Sequence, residues 1–126
     1  TPALATIVMA ERQVRWLLER GGMDEVSTHC AQASSLIYDW AEANLAARPF
    51  VENPAWRSPV TATIEIDEAV KASELAAHLR ARGIVDIGAY RGVGANQLRI
   101  GTWPSVEVED VEALLACIDY CLERVL

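Results

Sequence analysis

The apolar positions change period midway along the chain. Up to residue 48 they recur every three or four residues, which is the spacing of a helix face. Leu4, Ile7, Val14, Leu17 and Leu18 form one such stripe. It follows Thr1, a natural N-cap, and Pro2, a residue tolerated in a first helical turn. Gly21-Gly22 ends that helix. A second stripe, Val26, Cys30, Ala33, Ile37 and Trp40, predicts a helix running out near Arg48-Pro49, because the residue before a proline leaves the α region. Pro49, Asn53, Pro54 and Pro59 mark an irregular connection. Beyond it the period falls to two. Val60 to Ile66 is alternating and β-branched, a strand.

Ser73 is placed to cap a helix through Arg82, with Glu74 in its first turn and Gly83 just past its end. Ile84 to Ile87 reads as a short strand, and Gly88 to Asn96 as a glycine-bearing loop carrying Tyr90 and Arg91. Leu98 to Thr102 reads as another strand, and Trp103-Pro104-Ser105 as a turn. Val111, Leu114, Leu115, Ile118, Leu122 and Val125 mark a last amphipathic helix. The order α-α-β-α-β-β-α predicts an α+β two-layer sandwich: a small, mainly antiparallel sheet with helices on one face, preceded by two helices. The expected division is a helical segment at 1–48 and an α+β domain at 49–126.

Composition narrows the functional classes. The 126 residues make one globular unit, and 11 Lys+Arg against 18 Asp+Glu leave a net charge of −7, which argues against nucleic acid or an anionic membrane as the main partner. No run of about 18 apolar residues offers a membrane helix. No basic, then apolar, leader is visible. The chain opens Thr1-Pro2 without a Met, which suggests a start inside a longer protein. Cys30, Cys117 and Cys121 are an odd number at core-like spacing, so buried reduced thiols and a cytoplasmic location are expected. Cys117 and Cys121 share a helix face but lack a third ligand, so no metal site is expected.

Most titratable groups read as ordinary. His29 and His78 have no Cys, Asp or Ser at triad or ligand spacing. Gly92-Val93-Gly94 lacks the strand, third glycine and helix of a dinucleotide loop and reads as a turn. Glu107, Glu109, Asp110 and Glu112 suit the positive end of a helix. Lys71 is the only lysine. Arg99 stands apart, because alternation sets it opposite Leu98 and Ile100 in an apolar strand. Either that face is exposed or pairs internally, for example with Glu65, or the arginine awaits an anion. Arg91, in the preceding loop, could converge on the same place, and two arginines would suit a doubly anionic small molecule.

Several segments resemble one known family in order and spacing. They are Thr1-Pro2-Ala3-Leu4-Ala5-Thr6, Gly21-Gly22-Met23, Arg57-Ser58, Arg82-Gly83-Ile84-Val85-Asp86, Asn96-Gln97-Leu98-Arg99-Ile100, Trp103-Pro104-Ser105-Val106-Glu107, Asp110-Val111-Glu112-Ala113-Leu114 and Cys117-Ile118-Asp119-Tyr120. Together, across essentially the whole chain, they resemble the end of phosphoserine aminotransferases of the actinobacterial type, within the class V pyridoxal-phosphate aminotransferases. The resemblance implies the C-terminal small domain of the aspartate-aminotransferase (fold type I) architecture. It implies a homodimeric, cytoplasmic enzyme of serine biosynthesis, with pyridoxine biosynthesis as a further role. That enzyme moves an amino group from glutamate to 3-phosphohydroxypyruvate, giving O-phosphoserine, and takes its chemistry from pyridoxal 5'-phosphate.

The family's Schiff-base lysine lies in the large domain, and Lys71 does not match it. The resemblance therefore implies a portion that is inactive alone, binds no cofactor by itself and has the large domain as its partner. It gives Arg99 the substrate α-carboxylate and Arg91 the substrate phosphate across the dimer. It gives Thr1 the cofactor phosphate of the neighbouring subunit. The family histidine before that phosphate arginine is Tyr90 here. Two other readings remain open: a class V aminotransferase acting on another amino acid, for which Arg91 would have no use, and a self-standing small-molecule-binding regulatory domain.

Overall fold

A computed structural model describes residues 2–91 and 96–124. Its elements run α1 (Leu4–Glu19), α2 (Gly22–Ala43), β1 (Ala47–Pro49), a single 3-10 turn at Pro54–Trp56, β2 (Thr61–Ile66), α3 (Ala72–Arg80), β3 (Gln97–Gly101) and α4 (Val108–Arg124). The sheet order is β1-β2-β3 and both pairings are antiparallel. This is the expected α+β sandwich, with two corrections to its strands.

The first correction is β1. Residues 47–49 close the sheet edge, with Arg48 opposite Glu65, where the sequence predicts the end of a helix. Pro49 is tolerated because an edge strand needs no second ladder of N–H donors. The expected division at residue 48 falls inside this strand. The second correction is at 84–87, where no strand forms. Gly83 and Asp86 take positive φ, +91° and +62°, which breaks the extended path. Among the described residues, an isolated bridge between Gly88 and Leu98 and a bond from the Arg99 N–H to the Ile87 carbonyl (2.9 Å) fasten this segment to β3.

Alternation along β2 and β3 sorts the two sheet faces. Ala62, Ile64, Ile66, Leu98 and Ile100 point into the core. There they meet Ile37 and Ala41 of α2, Leu75 and Leu79 of α3, and Val111 and Ile118 of α4. Each Val, Leu or Ile among them taken fully out of water contributes about 1.5–3 kcal/mol, so this cluster holds the fold. Thr61, Thr63, Glu65 and Arg99 lie on the other, half-buried face.

Helix α1 stands apart from the core. It has no buried residue, and Leu4, Ile7, Val8, Met9, Val14 and Leu18 are exposed. Its helical pattern is real, but the stripe faces outward, an apolar patch of the kind that marks an interaction surface. By contrast α2 buries Cys30, Ala33, Ile37, Tyr38 and Ala41. Amide exchange should therefore be fast along α1 and slow along residues 30–41. Equal protection of the two helices in this chain would contradict the assignment.

The cysteines also divide. Cys30 and Cys121 are buried, and burial pushes the Cys30 thiol up, whereas Cys117 is exposed, contrary to its core-like spacing. The turn of α4 carries the i and i+4 positions to either side of the burial boundary. Among the described residues no helix is long and apolar enough to cross a membrane.

Candidate functional site

The face of the sheet turned away from the core opens into a cleft of about 820 Å³ between β3, α3 and the segment 86–91. Arg99 and Arg91 both line it, joined by Arg80, Ser73, Gln97 and Trp103. The geometry follows from local rules. Strand alternation turns Gln97, Arg99 and Gly101 to this side because Leu98 and Ile100 take the core. The Gly88–Leu98 bridge draws Tyr90 and Arg91 beside them. Gly101 admits the Trp103 indole so closely that a Cβ there would come within 2.7 Å of its Nε1.

Arg99 does not pair with Glu65. That carboxylate is taken by Arg48, at 2.7 Å from Nε. Across the sheet Arg99 faces Thr63 instead. Its guanidinium stacks on the Tyr90 ring at 4.8 Å from the centroid, and no carboxylate among the described residues bridges to it. Stacking on an aromatic face holds the guanidinium plane while leaving its N–H edge free. Of the readings left open by the sequence, the structure removes the internal partner Glu65; Arg99 sits half-buried on the edge strand β3, where its guanidinium faces the cleft.

Arg80 is a cleft residue that the sequence reading did not single out. It bonds Asp86 at 3.3 Å across the mouth of the cleft. Its position on the polar side of a predicted helix resembles any solvated arginine, so only the approach of 86–91 to α3 reveals it. Gln97 was also missed. It is 2% exposed, and its Nε2 has no hydrogen-bond partner among the described residues.

The remaining candidates lie elsewhere. Thr1 and Gly92-Val93-Gly94 fall outside the described residues. His29 donates from Nε2 to the Val106 carbonyl at 2.8 Å, tying α2 to the turn before α4. Among the described residues no group of three or more His, Cys, Asp or Glu is placed to hold a metal ion. Lys71 precedes α3 with its side chain 74% exposed and bonds Glu74 at 2.8 Å. Glu74, hydrogen-bonded and opposite in charge, holds that amine above its ordinary range. It is protonated, solvated and outside the cleft, so it does not fit the covalent anchor that pyridoxal phosphate requires.

The helix that bounds the cleft is not capped by Ser73. Its N-cap is Lys71, with no side-chain cap of its own. The cap comes from Asn96, whose Oδ1 accepts the Ala72 N–H at 2.8 Å. Its Nδ2 donates to the carbonyls of Ile66 (2.7 Å), Asp67 (3.0 Å) and Val70 (2.9 Å). One amide thus joins the end of β2, the start of α3 and the entry to β3. Asn96 stands next to Gln97 and three residues before Arg99, so it fixes the frame in which both are held.

No family model matches the chain. A phosphoserine aminotransferase from Rhodococcus jostii is 44% identical over 124 residues, which are 98% of this chain and 33% of that protein. The chain thus spans about a third of the length of the curated relatives it matches. The solved phosphoserine aminotransferase from Bacillus circulans subsp. alkalophilus superposes with a TM-score of 0.86 at 27% identity, over 95% of this chain and 33% of that one. The PLP-bound phosphoserine aminotransferase from Trichomonas vaginalis shares the fold, with a TM-score of 0.80 at 19% identity, over 94% of this chain and 34% of that one. The likeness to these enzymes expected from the sequence stands on both comparisons, over about a third of their length.

Proposed function

We propose that this chain is the C-terminal small domain of a phosphoserine aminotransferase. The full-length protein transfers an amino group from glutamate to 3-phosphohydroxypyruvate, giving O-phosphoserine and 2-oxoglutarate, in the cytoplasm and for serine biosynthesis. The observation that carries this reading is Arg99: a guanidinium braced on Tyr90, without a carboxylate partner among the described residues, in a cleft shared with Arg91 and Arg80. Arg99 takes the α-carboxylate through two parallel N–H bonds, which fixes the orientation of the bound amino acid. Arg91, at the end of the 86–91 segment, takes the phosphate of a substrate bound across the homodimer. Thr1 reaches the cofactor phosphate of the neighbouring subunit.

Pyridoxal phosphate supplies the carbanion chemistry in the full-length enzyme, and the large domain supplies its lysine. Residues 1–48 lead from that domain and 49–126 form the small one. The exposed apolar face of α1 supports its role in that connection, since it is a surface that a large domain would cover, whereas α2 and β1 pack with the small domain.

Expression of the open reading frame that contains this chain tests the reading. The complete protein should transaminate 3-phosphohydroxypyruvate with glutamate. The 126-residue chain mixed with pyridoxal phosphate should give no single-site, borohydride-trappable adduct at Lys71. A complete protein that turns over alanine or another amino donor but not the phosphorylated substrate would overturn the assignment.

A further inference from the structure

Gln97 is the one buried side-chain polar group without a partner among the described residues. An orphaned amide nitrogen is costly in a folded core, and a native site keeps one only when something else satisfies it. The position makes the orphan more pointed. Gln97 lies two residues before Arg99 on the same strand and the same face, and both side chains line the cleft. Its cross-strand neighbour Glu65 would be the obvious acceptor, but Arg48 holds that carboxylate at 2.7 Å. Asn96, the adjacent amide, spends both its nitrogen and its oxygen on backbone groups. Gln97 Nε2 thus makes no hydrogen bond among the described residues.

We propose that Gln97 is a substrate-binding residue that donates from Nε2 to the carboxylate held by Arg99. This rests on the reading of Arg99 given above. A carboxylate has about four lone-pair sites, and a guanidinium fork occupies two of them. A neutral donor on the same strand adds a third bond without a second desolvated charge. It also shapes the site for a flat carboxylate rather than for a tetrahedral phosphate, which leaves the phosphate to Arg91. The orphan is thus a functional vacancy in hydrogen bonding, retained at a cost in stability.

That trade gives the test two opposed readouts in the complete enzyme. Gln97→Leu should raise KM for both glutamate and O-phosphoserine by ~10-fold with kcat little changed, because an interaction common to bound substrate and transition state is lost. The same variant should melt a few degrees higher, because it removes a buried unsatisfied group. Gln97→Met, unbranched and closer in shape, should repeat both effects if Leu fails to fold. Gln97→Glu should raise KM further, by carboxylate against carboxylate, and recover as pH falls.

Unchanged KM together with a lower melting temperature in Gln97→Leu and Gln97→Met would overturn the proposal, since the amide would then be a structural bond to another part of the protein. A wild-type enzyme without activity on the phosphorylated substrate would instead overturn the function from which the proposal starts.

Discussion

Arg99→Lys in the complete enzyme should lower kcat/KM by ~10²–10³ for both half-reactions. Lysine keeps the charge but offers a rotating point donor where arginine offers a planar fork. It also cannot lie flat on Tyr90, whose ring braces the guanidinium at 4.8 Å. A hydrogen bond to a charged group contributes about 1.5–3 kcal/mol, and each ~1.4 kcal/mol lost at the transition state is tenfold in rate. Losing one good bond and the alignment of another gives the stated range.

Both substrates should suffer together, because glutamate and O-phosphoserine share only the amino and α-carboxylate groups. Arg91→Ala should separate them, hurting the phosphorylated substrate more, although glutamate's second carboxylate softens the contrast. Steady-state kinetics of the two variants decide the matter. If Arg99→Lys leaves both substrates untouched, the arginine is structural and the cleft loses its anion.

Asn96→Ala should destabilise the fold by about 2–4 kcal/mol, the largest effect expected of any single polar truncation here. The alanine deletes the α3 cap and the two amide N–H donors shared among three carbonyls of β2 and the turn after it in one step. Caps contribute about 1 kcal/mol, and each carbonyl left without a partner in a half-buried site adds to the loss. Denaturant unfolding of the 126-residue chain measures it, and a change below about 0.5 kcal/mol would show that water replaces the amide without penalty.

Asn96→Asp sharpens the reading. It keeps the oxygen that caps α3 and turns the donor end into a carboxylate facing three carbonyl oxygens. Those dipoles disfavour the charged form, so the folded-state pKa of the new carboxyl should rise above its unfolded value of about 3.9. The penalty should then be absent well below that pH. It should grow as pH rises through the unfolded value and be complete above the folded one.

Period alone located four helices and two of the three strands, because both signals are local. The helical stripe of α2 and the alternation of β2 each repeat a burial pattern that one element imposes on itself. The errors fall where neighbours decide. Residues 47–49 carry no strand pattern and become one because β2 presents an open edge to them. Residues 84–87 carry a strand pattern and fail because Gly83 and Asp86 turn the backbone. The stripe of α1 is helical as its period predicts, but it faces outward, since periodicity reports a face and not what covers it.

The site divides the same way. Arg99 was legible as a charge opposed to an apolar face, and Arg91 as a loop arginine nearby. That they share a cleft with Arg80, that Tyr90 braces one of them, and that Glu65 is already engaged are facts of tertiary approach. Asn96 and Gln97 are adjacent amides of nearly equal chemistry, and no local signal tells them apart. The fold satisfies one completely and leaves the other's nitrogen bare. By itself the sequence determined the elements, the charge balance and the one arginine out of place, because these depend on residue type and spacing. Which polar groups are satisfied, and so which are left to meet a substrate, was decided by the tertiary structure, because hydrogen bonding is settled by partners that lie 24 to 30 residues away in the chain.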